Sequence, residues 1–260
     1  MKKIIWSLFD SETAITQQLN SENYEVYSIG LASDSAVTTN FLNIDLSKKS
    51  CLKKLRKLHQ PDIIFASPPC ETWVSLSIGN VRFYERNYNE ANLYWQKDFK
   101  PNNFAKKHEV RRLIGQKTSY WTMRIICEFN PTYWFIENGS SSLIFDYLAK
   151  FHNLKGYKNL VRYNCYDSSF SVKPTFFYSN KKINLKKFSK KTDTLISVNK
   201  KAVDKVKKTI DFKALGYSSA NSYIKDKKRV KETYCERSEV PIGIYKDILK
   251  QIETPVLTLF

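Results

Sequence analysis

The stretch FASPPCETW (65–73) places Cys70 directly after Pro68 and Pro69, where the apolar run PDIIFAS ends. Prolines lack an N–H donor and fix φ, so the pair stops regular pairing and makes a stiff mount for the residue that follows. A chain that needed only a turn could use Gly, Asn or Asp here. A second apolar run, TYWFI, ends in Glu137 and Asn138. Carboxylates are rarely buried without a partner, so an acid at the mouth of such a run is a candidate for chemistry. Taken singly, the cysteine fits an inert core thiol and the glutamate a surface residue at a strand end. Taken together, on neighbouring strand ends of one sheet, they supply a thiolate nucleophile beside an acid.

The elements that must position this pair alternate along the chain. KIIWSLF (3–9) reads as a buried strand ending at Asp10, and SETAITQQLNSEN as a helix with Ser11 as its N-cap. YEVYSIG (24–30) is a second strand, LSKKSCLKKLRKLH (46–59) an amphipathic helix, and PDIIFAS (61–67) a third strand. This alternation predicts an α/β domain with a mainly parallel sheet. Ligands of such sheets sit outside the carboxyl ends of the strands, where Asp10, Pro68, Pro69 and Cys70 all fall. A polar and aromatic stretch then runs to about Phe104, followed by a helix whose strongest part is KTSYWTMRIICEF (117–129), stopped by Pro131. TYWFIENG (132–139), NLVRYNCYD and TFFYSN (175–180) read as later strands, and SEVPIGIYKDILKQI as a turn and a helix.

Composition narrows the partners. The chain has 260 residues, 42% of them hydrophobic, enough for one large domain or a domain with a small appendage. Its formal charge of +18 suggests an anionic partner, most simply nucleic acid, although a Lys-, Asn- and Ile-rich composition also follows from an AT-rich gene. Much of the excess lies between Lys181 and Lys231. The five cysteines are odd in number and contain no CxxC pair, which argues against a disulfide framework and a zinc ribbon. The three histidines show no metal-ligand spacing, and no metal is expected. Asp10 interrupts the first apolar run too early for a signal peptide, and no run reaches the roughly 18 apolar residues of a membrane span. A cytoplasmic protein without membrane contact is expected.

SPPC (67–70) followed by IENG (136–139) resembles the PPC and EN motifs of the DNA cytosine-5 methyltransferases. Three further stretches fall in that family's order: SLFD (7–10) is similar to its first cofactor motif, NCYDSSFSVKPTFFYSN (164–180) to the segment with its base-contacting motif, and ERSEVP (236–241) to its closing cofactor motif. The resemblance covers residues 1–180 and about 234–250. It implies a Rossmann-like sheet flanked by helices, built for S-adenosyl-L-methionine, with double-stranded DNA as partner and a monomeric enzyme of a mobile element or a restriction-associated system. The implied organisation is a catalytic core at 1–180, a basic target-recognition segment at 181–233 and a C-terminal segment, 234–260, returning to the core.

The resemblance also implies roles for single residues. Cys70 adds to carbon 6 of a flipped cytosine, which activates carbon 5, and Glu137 donates toward ring N3. Asn138, Lys173 and Thr175 join them in the catalytic set. Phe9 stacks near the adenine of the cofactor, Asp10 or Ser11 lines its methionine end, Asp45 contacts its amino group, and Ser67, Pro68 and Ser238 complete its surroundings. Tyr217, Asn221 and Tyr223 are expected near the DNA bases, and the loop with Trp73, Arg82, Tyr84 and Arg86 over the flipped base. The chain departs from the family in three places. SLFD is followed by Ser11, Glu12, Thr13 and Ala14 rather than a glycine-rich loop. YEVYSIG ends without the acid that usually binds the ribose. Ser171, Lys173 and Thr175 stand where Gln-x-Arg-x-Arg is usual, and Lys lacks the bidentate fork of Arg. Two other readings remain beside methyl transfer to DNA: a DNA-binding protein on the same fold without catalysis, and the same chemistry on RNA.

Overall fold

A computed structural model describes residues 2–10, 15–31, 41–70, 73, 103–167, 170, 173–187, 217–219, 222–225, 228–231 and 240–253. Ser11, Ser238, Asn221, Arg82, Tyr84 and Arg86 lie outside them. The chain divides into two compact units, Met1–Leu160 with Thr175–Asn184, and Val161–Pro174 with Leu185–Phe260.

The first unit is built on a seven-stranded sheet. Its strands in chain order are β1 (Lys3–Leu8), β2 (Tyr24–Gly30), β3 (Phe41–Asn43), β4 (Ile63–Ala66), β5 (Tyr133–Gly139), β6 (Tyr157–Arg162) and β7 (Pro174–Ser179). They lie in the order β3-β2-β1-β4-β5-β7-β6. The first five run parallel to one another, and β7 runs antiparallel to β5. All four residues of β4 and the last four of β1 are buried, as expected of central strands covered on both faces. Their apolar, β-branched and aromatic content, IIWSL and IIFA, suits that position and explains why both were legible as strands.

Helices close the faces. The first, α1 (Ser50–Leu55), buries Cys51, Leu52 and Leu55. It is shorter than the run 46–59 predicts, because Asp45 accepts hydrogen bonds from the Ser47 N–H (2.9 Å) and hydroxyl (2.6 Å) and so holds a turn where the helix would begin. The long α2 (Asn103–Phe129) ends where Asn130 takes a left-handed φ of 42°, directly before Pro131. Trp6 of β1 meets Phe129 edge-on, with ring centroids 4.6 Å apart. A third helix, α3 (Ile144–His152), sends Ile144, Phe145, Tyr147 and Leu148 into the core. The helix expected in SETAITQQLNSEN is a short 3-10 helix, Ile15–Leu19, in its described part. Side-chain bonds shape it: Gln17 Nε2 donates to Ser28 Oγ (2.6 Å), and Asn20 Nδ2 folds back on the Gln17 carbonyl (3.1 Å).

Asn159 pegs β6 to the chain around β7. Its buried amide donates to the Phe177 carbonyl (2.9 Å) and Ser179 Oγ (2.9 Å), and its Oδ1 accepts from the Ile183 N–H (2.9 Å).

The second unit contains a three-stranded antiparallel sheet of β8 (Tyr217–Ser219), β9 (Ser222–Lys225) and β10 (Lys228–Lys231), in the order β10-β9-β8, and α4 (Ile242–Glu253). Tyr217 and Tyr223 are register partners there. Tyr166 anchors α4: its hydroxyl donates to Asp247 and accepts from the Lys186 N–H (3.0 Å). Among the described residues, no helix is long and apolar enough to cross a membrane and no group of His, Cys, Asp and Glu could hold a metal ion.

Candidate active site

Register fixes which residues gather at one edge of the sheet. Leu8 of β1 is level with Ala66 of β4, and Ala66 with Ile136 of β5. One residue further along these parallel strands stand Phe9, Ser67 and Glu137; two further, Asp10, Pro68 and Asn138. The strand order turns back between β1 and β4, since β2 and β3 lie to one side and β5 to the other. Such a switch point opens a crevice beyond the carboxyl ends of the two strands, the usual ligand position in an open α/β sheet. Phe9–Asp10 and Ser67–Pro68 flank it.

The β1 side is held under constraint. Phe9 sits at φ 62°, a left-handed conformation that costs a non-glycine residue energy and must be imposed by its surroundings. Those surroundings are visible. The Asp10 N–H donates to the Ile29 carbonyl (3.1 Å), and the Asp10 carboxylate accepts from the hydroxyl of Thr16, which is buried and 3.4 Å from Ser28 Oγ. Gly30, at the end of β2, allows this approach: a Cβ there would stand 2.0 Å from the Asp10 carbonyl oxygen. Glycine at this position is what lets the end of β1 come so close to β2. Leu31 follows it, 67% exposed, where the expected acid is missing.

At the end of β3, Ile44 N–H bonds to the Gly30 carbonyl (2.8 Å), which brings Asp45 to the same edge. Partial burial alone would raise the Asp45 pKa. The Lys48 ammonium, 2.8 Å from Oδ2, and the two Ser47 donors outweigh that effect and hold the carboxyl at about 2. Asp45 thus remains an acceptor at any physiological pH. Three of its roughly four lone-pair sites are taken by those donors, which leaves one on Oδ2 for a ligand N–H.

The β4 and β5 ends carry the thiol and the acid. The Ser67 N–H donates to the Leu8 carbonyl (3.1 Å), so the chain follows β1 one residue beyond the strand before the prolines divert it. Cys70 is half-buried after them. Burial pushes the Cys51 thiol up to about 11, which keeps it protonated and inert. Glu137 is 6% exposed and Asn138 1%. Strand side chains alternate, so these two point to opposite faces. Glu137 shares its face with Phe135 and with its register partner Phe177; Thr175, two residues before Phe177 and fully buried, lies on that face too, paired with Gly139. Asn138 turns the other way and donates from Nδ2 to the Pro68 carbonyl (3.0 Å). Its Oδ1 is buried and unpartnered among the described residues.

The fold therefore brings Phe9, Asp10, Asp45, Ser67, Pro68, Cys70, Glu137, Asn138 and Thr175 to the carboxyl edge of one sheet. Lys173 belongs to the second unit, with its ammonium 5.2 Å from the centre of the Tyr163 ring. The expectation that Trp73 closes over a substrate is corrected. Trp73 is 3% exposed and its ring lies 4.7 Å from that of Tyr147, inside the core, because an indole buries more apolar surface against α3 than it could in a surface loop. Gly30 and Thr16 were missed as site-forming residues. The only sequence signal for Gly30 was a glycine ending an apolar run; Thr16 had none. Comparison with protein-family models finds no match, and comparison with curated proteins finds none either.

Proposed function

We propose that the chain is a DNA cytosine-5 methyltransferase that uses S-adenosyl-L-methionine. The observation that carries the reading is the placement of Cys70, just past the end of β4, and of the buried Glu137, near the carboxyl end of the adjacent parallel strand β5, on the edge that holds the β1/β4 crevice. The seven-stranded, mostly parallel sheet is compatible with the Rossmann-like form that the motif resemblance implies.

The residues of the crevice suit the cofactor. Phe9, half-exposed, offers a ring to the adenine, the open lone pair of Asp45 suits an amino N–H, and Asp10 suits the cationic methionine end. When bound, the cofactor supplies an electrophilic methyl group. The rest is the work of this chain. Cys70, as thiolate, adds to carbon 6 of the target cytosine and gives carbon 5 the electron density of an enamine. Glu137 holds a proton at ring N3 and neutralises the charge that develops there. After transfer, a solvent water takes the carbon-5 proton, and the electrons of that C–H bond re-form the ring double bond and expel the Cys70 thiolate. Asn138 keeps the Pro68 carbonyl, and so the mount of Cys70, beside Glu137. A cytosine inside a duplex cannot reach a thiol at this depth, so the base is flipped out.

Long-read methylome sequencing of cells expressing the chain tests this directly. A defined motif carrying 5-methylcytosine is expected with the wild type and none with Cys70→Ala, which should fold normally. A blank methylome from folded wild-type protein that still binds DNA overturns the proposal in favour of binding alone. Transfer to RNA in competition with DNA overturns the choice of substrate.

A further inference from the structure

We propose that Trp73 is a positioning residue: with Asn138 it ties the Cys70 loop at both ends to the one segment that follows Glu137. The inference rests on reading Cys70 as the nucleophile. Upstream of the thiol, the Asn138 amide holds the Pro68 carbonyl at 3.0 Å. Downstream, the Trp73 N–H donates to the Cys70 carbonyl (2.8 Å), and the Trp73 carbonyl accepts from the Leu143 N–H (3.1 Å). The indole completes the anchor against Tyr147, with centroids 4.7 Å apart and planes at 40°. All three partners, Asn138, Leu143 and Tyr147, lie within ten residues after Glu137. Between them the chain is compact: the Ser142 N–H bonds to the Gly139 carbonyl (2.9 Å), and the Ser142 hydroxyl accepts from the Ile144 N–H (3.3 Å) as α3 begins.

The consequence is that the offset between thiol and acid is set inside the first unit, before any substrate arrives. A nucleophile on a loop free at one end would have to find its position during each turnover. One pinned at Pro68 and at Trp73 is preorganised, and small misplacements of such groups cost large factors in rate. Trp73 does this from the core and touches no reacting atom.

The test compares full-length wild type, Trp73→Ala, Trp73→Phe and Tyr147→Leu. Cys70 alkylation by iodoacetamide, followed by peptide mass spectrometry, needs neither cofactor nor DNA. Loosening the loop should speed Cys70 modification about 3- to 10-fold in Trp73→Ala and Tyr147→Leu, as local opening exposes a half-buried thiol. Trp73→Phe, which keeps a ring for Tyr147, should restore the wild-type rate. With cofactor and DNA, kcat should fall roughly 10- to 100-fold in Trp73→Ala while the KM for cofactor changes by less than about 3-fold. Unchanged Cys70 alkylation in folded Trp73→Ala overturns the proposal, and Tyr147→Leu decides in the same way should the alanine variant not fold. Wild-type protein that transfers no methyl group refutes the methyltransferase reading alone, because the alkylation comparison still decides the tether.

Discussion

Gly30→Ala is the substitution that most directly probes the crevice. The new Cβ would lie 2.0 Å from the Asp10 carbonyl oxygen and 3.1 Å from its carbon and nitrogen. Relief to ordinary contact needs a shift of about 1.4 Å, and the obstacle is backbone, which cannot rotate away as a side chain can. The shift must pull the end of β1 from β2 and loosen the Asp10 N–H bond to Ile29 (3.1 Å). Overpacking of this kind costs about 1–3 kcal/mol, and the weakened hydrogen bond adds about 0.5–1.5 kcal/mol. A loss of roughly 2–4 kcal/mol corresponds to a fall in Tm of about 5–15 °C for a chain of this size. Phe9 and Asp10 move with the backbone, so under the proposed function affinity for S-adenosyl-L-methionine should drop at least about tenfold, the equivalent of 1.4 kcal/mol. Thermal melting and titration calorimetry read the two effects separately. A variant that melts within about 1 °C of wild type, or that binds the cofactor unchanged, would refute the claim that Gly30 sets the geometry of the β1 end.

Two other perturbations test the electrostatics and the second unit. Asp45 has its carboxyl held at about 2 in the folded chain, below the roughly 3.9 of an unfolded aspartate. The stabilisation is therefore full above about pH 4 and is lost as pH falls toward 2. Discounted for the solvent around Lys48, it is worth about 1 kcal/mol, and Asp45→Asn should flatten that part of an acid-denaturation curve. Tyr166→Phe removes the hydroxyl that joins Asp247 to the Lys186 N–H. Burial, and then the hydrogen bond to Asp247, push that phenol upward, so it stays a donor at any working pH. Its loss should cost about 1–3 kcal/mol, visible as faster amide exchange in α4, and unaltered exchange there would remove the anchor from the account.

Strands were legible where a residue's neighbours in sequence are also its environment. KIIWSL, YEVYSIG, IIFA and TYWFIENG are apolar because they are central and covered, and their ends, with Asp10, Cys70 and Glu137, could be read from the points where the apolar runs break. Long-range pairing was not legible. Only the fold places β7 antiparallel beside β5, and this carries Thr175 to the face of Glu137 across 38 residues of chain. Only the fold sets Glu137 and Asn138 apart, since alternation on the strand sends them to opposite faces and turns Asn138 to the carbonyl of Pro68. Trp73 read as a loop aromatic, but it is a core residue, because the surface it covers belongs to α3, whose Tyr147 lies 74 positions away. The close approach of the Asp10 backbone to β2 was equally hidden, because it is a property of two strands at once and Gly30, which permits it, stands on the partner strand.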